Sequence, residues 1–141
     1  MLDYKRPGVI RFNEFTRACC APDEFDRRLA RLGGKPTSFE GNAEILLKQA
    51  VNYACLYQTK YIAFFDWETL VLIYLGNIEK RIGGNWCHVE IVTDRRQMRR
   101  ALLGFLEAAY QSCGGRFRGG PVYPIPQVPS MQPTRHSDRI R

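Results

Sequence analysis

Hydrophobic and polar residues follow two different periods along the chain. Short runs rich in β-branched and aromatic residues, bounded by turn-forming residues, are typical of strands. These runs lie at 2–6, 61–66, 70–75 and 86–93, and the short 67–69 segment makes the second and third a hairpin. Other segments have helical spacing and helix-bounding residues. They predict helices at 11–18, at 23–32, from a cap on Ser38 or Asn42 to about Gln58, and from a cap on Asp94 to about Ser112.

The order of these elements predicts an α/β fold, a mixed β-sheet flanked by helices. A chain of 141 residues with 45% hydrophobic and 25% charged residues fits one globular domain. The apolar periodicity stops at Gly114, and the remaining segment holds four glycines and five of the eight prolines. We therefore predict a domain at 1–113 and a disordered tail at 114–141. The tail could also serve as a polyproline ligand for a protein partner.

The charge, the apolar runs and the cysteines indicate where the protein is located and which kinds of functional site it can contain. The net charge is +7, of which the 114–141 segment carries +4. The longest apolar runs are about six residues, far short of the ~20 that span a bilayer, so we expect no membrane segment. With no secretory leader pattern and no Cys-x-x-Cys spacing among five cysteines, we expect reduced thiols in an intracellular protein, cytoplasmic or nuclear. Two distant histidines give little support to a histidine-based metal site or a catalytic triad.

Candidate chemistry begins at the first strand. Asp3 and Lys5 are two residues apart, so their side chains lie on one face of the strand, about 7 Å apart. A carboxylate of this kind suits Mg²⁺, and a neighbouring lysine can offset the charge that builds up on a phosphate. The alternative is a solvated ion pair at a frayed terminus.

The long helix adds a buried amide to this picture. Its polar stripe is formed by Glu44, Lys48 and Asn52, whereas Gln49 falls on the apolar side. The helix is apolar nearly all round, so we expect it to be largely buried. A buried amide needs a hydrogen-bond partner, and the alternative to a functional role is a bond to the backbone.

Three segments together resemble a known family. Asp-Tyr-Lys-Arg-Pro-Gly at 3–8, Gln-Ala-Val-Asn-Tyr at 49–53 and Tyr-Ile-Ala-Phe-Phe-Asp at 61–66 are similar to the second half of the PD-(D/E)xK nuclease-like superfamily. More narrowly, they resemble uncharacterised fungal proteins that carry this domain. The resemblance covers roughly residues 1–110, and it implies a restriction-endonuclease-like core that lacks its first elements.

The resemblance also implies a function and a set of site residues. By this resemblance, Asp3 would be the metal ligand and Lys5 the catalytic lysine. Gln49 would lie beside the site, and Tyr53 would support the site. The implied reaction is Mg²⁺-dependent hydrolysis of DNA phosphodiesters.

The chain departs from the family pattern at one point. The family has a further acidic residue on the strand before its Asp-x-Lys element, and here Asp3 follows Met1 closely. Three explanations remain open: a truncated form of an active enzyme, a degenerate remnant, or replacement by another acid such as Glu40 or Glu44. We expect an incomplete or degenerate nuclease-like domain that is inactive as it stands. The alternative is a non-catalytic module that binds nucleic acid or another protein.

Several further residues have two possible interpretations. The cations Arg95, Arg96, Arg99 and Arg100 open the last helix against its dipole, which suggests phosphate contacts, and the alternative is a solvated face. Arg116 and Arg118 lie in a Gly-Gly-Arg-Phe-Arg-Gly-Gly segment that could bind single strands, or could belong to a basic tail without a specific partner. Asp66 ends a strand, where we interpret it as a turn residue.

Overall fold

A computed structural model of the chain describes residues 1–78 and 86–114. The elements agree with the predicted order, and their bounds are β1 Leu2–Tyr4, α1 Phe12–Ala18, α2 Phe25–Arg31, α3 Gly41–Tyr57, β2 Tyr61–Phe65, β3 Leu70–Leu75, β4 Cys87–Val92 and α4 Arg95–Ser112. A short 3-10 turn, Pro22–Glu24, leads into α2. The predicted tail at 114–141 lies outside the described residues except for Gly114.

The four strands form one mixed sheet in the order β1-β2-β3-β4. β1 pairs in parallel with β2, placing Asp3 opposite Phe64, and the remaining pairs are antiparallel. A parallel neighbour requires a long crossover, and the segment containing α1, α2 and α3 supplies it. The predicted α/β class, mixed sheet and β2–β3 hairpin are therefore confirmed.

Helices cover both faces of the sheet. On one face, α3 and α1 bury Phe15, Leu46 and Ala50 against Ile62 and Phe64 of β2. On the other face, α4 packs against β2, β3 and β4, with Met98 buried in the same cluster as Leu70 and Val92. None of the helices in the described ranges has the length and hydrophobicity that a membrane crossing requires.

The expectation that α3 is largely buried was wrong for one of its sides. Ile45 and Leu56 are 54% and 58% exposed, and Tyr57 is half exposed. The helix packs against β2 and α1, so the side that faces away from them meets solvent in the described structure. Apolar residues all around a helix therefore do not ensure that all of them are buried.

The two predicted caps of α3 were also wrong. The Ser38 hydroxyl donates to the carbonyl oxygen of Ala18, and the Asn42 amide donates to that of Val9. The first turn of α3 is capped from another helix, because the Glu14 carboxylate accepts a hydrogen bond from the backbone N–H of Ala43 at 3.0 Å. The predicted cap of α4 is confirmed: Asp94 accepts from the backbone N–H of Arg96.

Candidate functional site

β1 and α3 bring the predicted residues together. Pairing with β2 fixes β1 at the edge of the sheet, and strand alternation turns Asp3 and Lys5 toward the face that α3 covers. On α3, Gln49 and Tyr53 are four residues apart and therefore lie one turn apart on the same side of the helix. The four side chains meet between strand and helix, and we refer to them as the Asp3–Lys5 cluster.

Three short polar contacts hold the Asp3–Lys5 cluster. The Lys5 Nζ atom lies 2.8 Å from Asp3 Oδ2 and donates to Gln49 Oε1 at 2.6 Å. The Tyr53 hydroxyl donates to the same Asp3 oxygen at 2.9 Å. The amide of Gln49 therefore has a side-chain partner in Lys5, directly after β1, rather than the backbone partner that was the alternative.

The two charged side chains of the cluster are mostly shielded from water. The side chains of Lys5 and Asp3 are only 16% and 20% exposed, and the ammonium lies 5.3 Å from the centre of the Phe64 ring. A cation at this distance from an aromatic face is attracted to it. The charges are therefore compensated by each other and by neighbouring dipoles rather than by bulk solvent, which excludes the frayed, solvated ion pair.

The phenol of Tyr53 is the proton donor in this arrangement. Its hydrogen bond to Asp3 is the main cause of a raised pKa, to which burial and the nearby carboxylate charge also contribute. A raised pKa keeps the phenol protonated, so it donates to the carboxylate throughout the neutral range. Tyr53 thus positions Asp3 from the helix side.

The cluster does not provide the ligand set that Mg²⁺ prefers. Mg²⁺ takes near-octahedral oxygen ligands, and Asp3 is the one carboxylate of the cluster, with Oδ2 already accepting from Lys5 and Tyr53. Within 1–78 and 86–114, no three His, Cys, Asp or Glu side chains are grouped so that they could hold a metal. The suggested substitutes face elsewhere, since Glu44 pairs with Lys48 and Glu40 with Lys35.

Asp66 is a structural residue, as the turn interpretation predicted. Its carboxylate is buried, and Oδ1 accepts from the backbone N–H groups of Glu68 and Thr69 in the β2–β3 turn. Its Oδ2 accepts from the backbone N–H of Ile10, in the segment that follows β1. Asp66 therefore ties the β2–β3 turn to the segment that leaves the Asp3–Lys5 cluster.

The predicted cations of α4 lie at the same end of the sheet as Lys5. The last residue of β4, Val92, pairs with Leu70 in β3, and Leu70 pairs with Phe65, whose partner in β1 is Tyr4. The first two turns of α4 carry four arginines, all of them exposed: Arg95, Arg96, Arg99 and Arg100. Arg116 and Arg118 lie outside the described residues.

Sequence reasoning missed a row of aromatic side chains near this end. Tyr4, between Asp3 and Lys5, turns to the opposite face of β1 and contacts Phe65, and Phe65 contacts Trp67 in the β2–β3 turn. Strand alternation predicts that Tyr4 faces away from Asp3 and Lys5, but its contact with Phe65 depends on the pairing of β1 with β2. The position of Trp67 could not have been found in that way, because it follows from an unusual backbone conformation with φ of +72°.

Comparisons of the chain with protein-family models, curated proteins and solved structures find no significant match. No relative therefore assigns a role to any residue of the cluster. Its function has to be argued from the contacts, burial and charges described above.

Proposed function

We propose that the chain is a PD-(D/E)xK nuclease-like domain, with a restriction-endonuclease-like core, that binds nucleic acid without cleaving it. The observation that carries the proposal is the Asp3–Lys5 cluster: a lysine and an aspartate on one strand face, joined through a 2.6 Å bond to a glutamine on the next long helix. A lysine held beside a carboxylate is an arrangement suited to phosphodiester chemistry.

The same geometry argues against hydrolysis by the described residues. Metal-assisted cleavage needs a cation held by several hard oxygen ligands, and the cluster offers one carboxylate, which is already engaged by Lys5 and Tyr53. Lys5 is likewise engaged by Asp3 and Gln49. The cluster therefore fits a phosphodiester-related domain in a non-hydrolytic state.

The charge distribution supports binding to a polyanion. The sequence carries a net charge of +7, and exposed arginines follow β4 at the same end of the sheet where Lys5 follows β1. Phosphate contacts of arginine release counterions, so they give affinity that falls with salt. The proposal thus predicts salt-dependent and metal-independent binding of DNA.

The test combines a cleavage assay with a binding assay. Purified chain is incubated with supercoiled plasmid and Mg²⁺, and binding to a labelled duplex is followed by fluorescence anisotropy over a range of salt concentrations. We expect no nicking above the buffer control, and tight binding at low salt. Replacing Arg95 and Arg99 by alanine should lower the slope of log K against log salt by about 1.8, since each phosphate contact contributes about 0.9.

A matched control uses two arginines with the same spacing elsewhere. Arg27 and Arg31 are exposed on α2, whose residue Leu29 lines a cavity with Leu75 and Cys87 at the other end of the sheet. Their replacement by alanine removes the same charge and should leave the slope unchanged. Absence of binding at low salt contradicts the proposal, and so does Mg²⁺-dependent cleavage that is lost in Lys5→Ala.

A further inference from the structure

Three aromatic side chains form a continuous row at the end of β1 and β2. The ring centroids of Tyr4 and Phe65 are 5.7 Å apart, and those of Phe65 and Trp67 are 5.6 Å apart. The inner ring, Phe65, packs against the cluster under α4, whereas Tyr4 and Trp67 are each 64% exposed. The row therefore presents two large rings to solvent on a supported base.

Core packing does not account for the position of Trp67. The residue has a left-handed backbone conformation, φ +72°, which a bulky side chain rarely adopts and which glycine or asparagine adopts readily. The buried carboxylate of Asp66 fixes the turn through its bonds to Glu68 and Thr69. A strained backbone that holds a mostly exposed ring indicates that the ring itself is used.

The row lies beside the Asp3–Lys5 cluster but on the opposite face of β1. α4 packs over β2, β3 and β4 and supports Phe65, whereas Tyr4 on the edge strand and Trp67 in the turn stay exposed. Arg6, two residues after Tyr4, is exposed, and the exposed Arg95 and Arg96 begin α4 at the same end of the sheet. Exposed rings and cations together are what single-stranded nucleic acids bind, by base stacking and phosphate contacts.

We propose that the row of Tyr4, Phe65 and Trp67 stacks the unpaired bases of a single-stranded nucleic acid. The proposal rests on the nucleic-acid binding proposed above and specifies the substrate class. Paired bases are unavailable for this contact because they are stacked inside a duplex. Single strands should therefore bind more tightly than duplexes of the same length, and the difference should depend on Trp67.

The two tryptophans of the chain allow a direct test. Trp86→Phe leaves Trp67 as the one tryptophan, and Trp67→Phe leaves Trp86, which lies next to Cys87 at the other end of the sheet. Each variant is titrated at low salt with an oligothymidylate of about 12 nucleotides, and its fluorescence is recorded. Anisotropy of the labelled oligonucleotide and of a matched duplex gives the affinities of the wild type and of Trp67→Ala.

We expect the single strand to quench Trp67 fluorescence with the midpoint found by anisotropy, and to leave Trp86 fluorescence unchanged. Trp67→Ala should weaken single-strand binding by ~5-fold to ~150-fold, the range for one stacked base, with duplex affinity unchanged. Equal quenching of both tryptophans, or single-strand affinity unaffected by Trp67→Ala, overturns the stacking proposal.

Three further outcomes separate this proposal from its alternatives. Duplex binding without a preference for single strands refutes the stacking row and leaves the proposed function standing. No affinity for either nucleic acid refutes both. If the row is instead a contact between two copies, the free chain will sediment as a dimer that Trp67→Ala converts to a monomer, which also overturns the stacking proposal.

Discussion

The shielded ion pair of the Asp3–Lys5 cluster makes a quantitative prediction about stability. Three variants form a double-mutant cycle: Asp3→Asn, Lys5→Met and the two combined. Asparagine keeps the shape of aspartate and still accepts from Tyr53, and methionine keeps most of the aliphatic stem of lysine. Each single change leaves one charge without its counterion, whereas the double change removes both charges.

The expected size follows from burial. Hydrogen bonds to charged groups contribute ~1.5–3 kcal/mol, and loss of one partner of a fully buried pair costs ~3–5 kcal/mol. Since the two side chains are 16% and 20% exposed, we expect each single variant to lose about 2 kcal/mol of unfolding free energy. The double variant should also lose about 2 kcal/mol, which gives a coupling energy of roughly 2 kcal/mol.

A surface pair in the same protein serves as the control. Lys48 and Glu44 lie 2.7 Å apart, almost the distance in the cluster, but their side chains are 55% and 34% exposed. The cycle of Glu44→Gln and Lys48→Met should give a coupling of only ~0.3–0.5 kcal/mol. Urea unfolding with linear extrapolation measures all the variants. Equal couplings for the two pairs would refute the argument from shielding.

Three other predictions concern single groups. Gln58 ends α3 with φ +51°, and its side-chain amide donates to the carbonyl oxygen of Cys55. Gln58→Gly and Gln58→Ala both lose this bond, so glycine should exceed alanine by ~1 kcal/mol in unfolding free energy in urea, and equal stabilities would contradict the left-handed cap. Burial raises the pKa of Cys87 to about 11, so at mildly alkaline pH a thiol reagent should modify the exposed Cys113 first and Cys87 only on unfolding. The pKa of Tyr53 is raised mainly by Asp3, so Asp3→Asn should lower it in an ultraviolet titration. The stability that Tyr53 contributes is complete below its unfolded pKa of about 10 and is lost as the pH rises through the folded value.

Local patterns predicted the elements well because their causes are local. Apolar runs, helical spacing and the Asp94 cap each depend on neighbouring residues, and the structure confirms them. The sequence also indicated that the Gln49 amide needs a hydrogen-bond partner, because the residue lies on the apolar side of α3. The identity of that partner was not, because Lys5 is 44 residues away and reaches Gln49 only through the pairing of β1 with β2.

The wrong expectations share one physical origin. The cap of α3 comes from Glu14 on α1, and the exposure of Ile45 and Leu56 depends on which side of α3 its neighbours cover. Both are set by tertiary packing, which a single helix pattern does not contain. The left-handed conformation of Trp67 is similar, since local preference favours glycine there and the bonds of Asp66 hold the turn.

The position of β1 at the edge of the sheet offers another explanation for the charges of Asp3 and Lys5. Charged side chains on an edge strand discourage pairing with strands of other molecules. Protection of the edge would explain an aspartate on β1 and a lysine directly after it, but it does not explain Gln49 and Tyr53. Both come from α3, and each places a polar group between helix and sheet, where a polar group without a partner is costly. Discouraging edge pairing requires charges that stay exposed, whereas Lys5 and Asp3 are mostly shielded. Protection of the sheet edge therefore does not account for this arrangement, in which Gln49 and Tyr53 hold the ammonium and the carboxylate against each other.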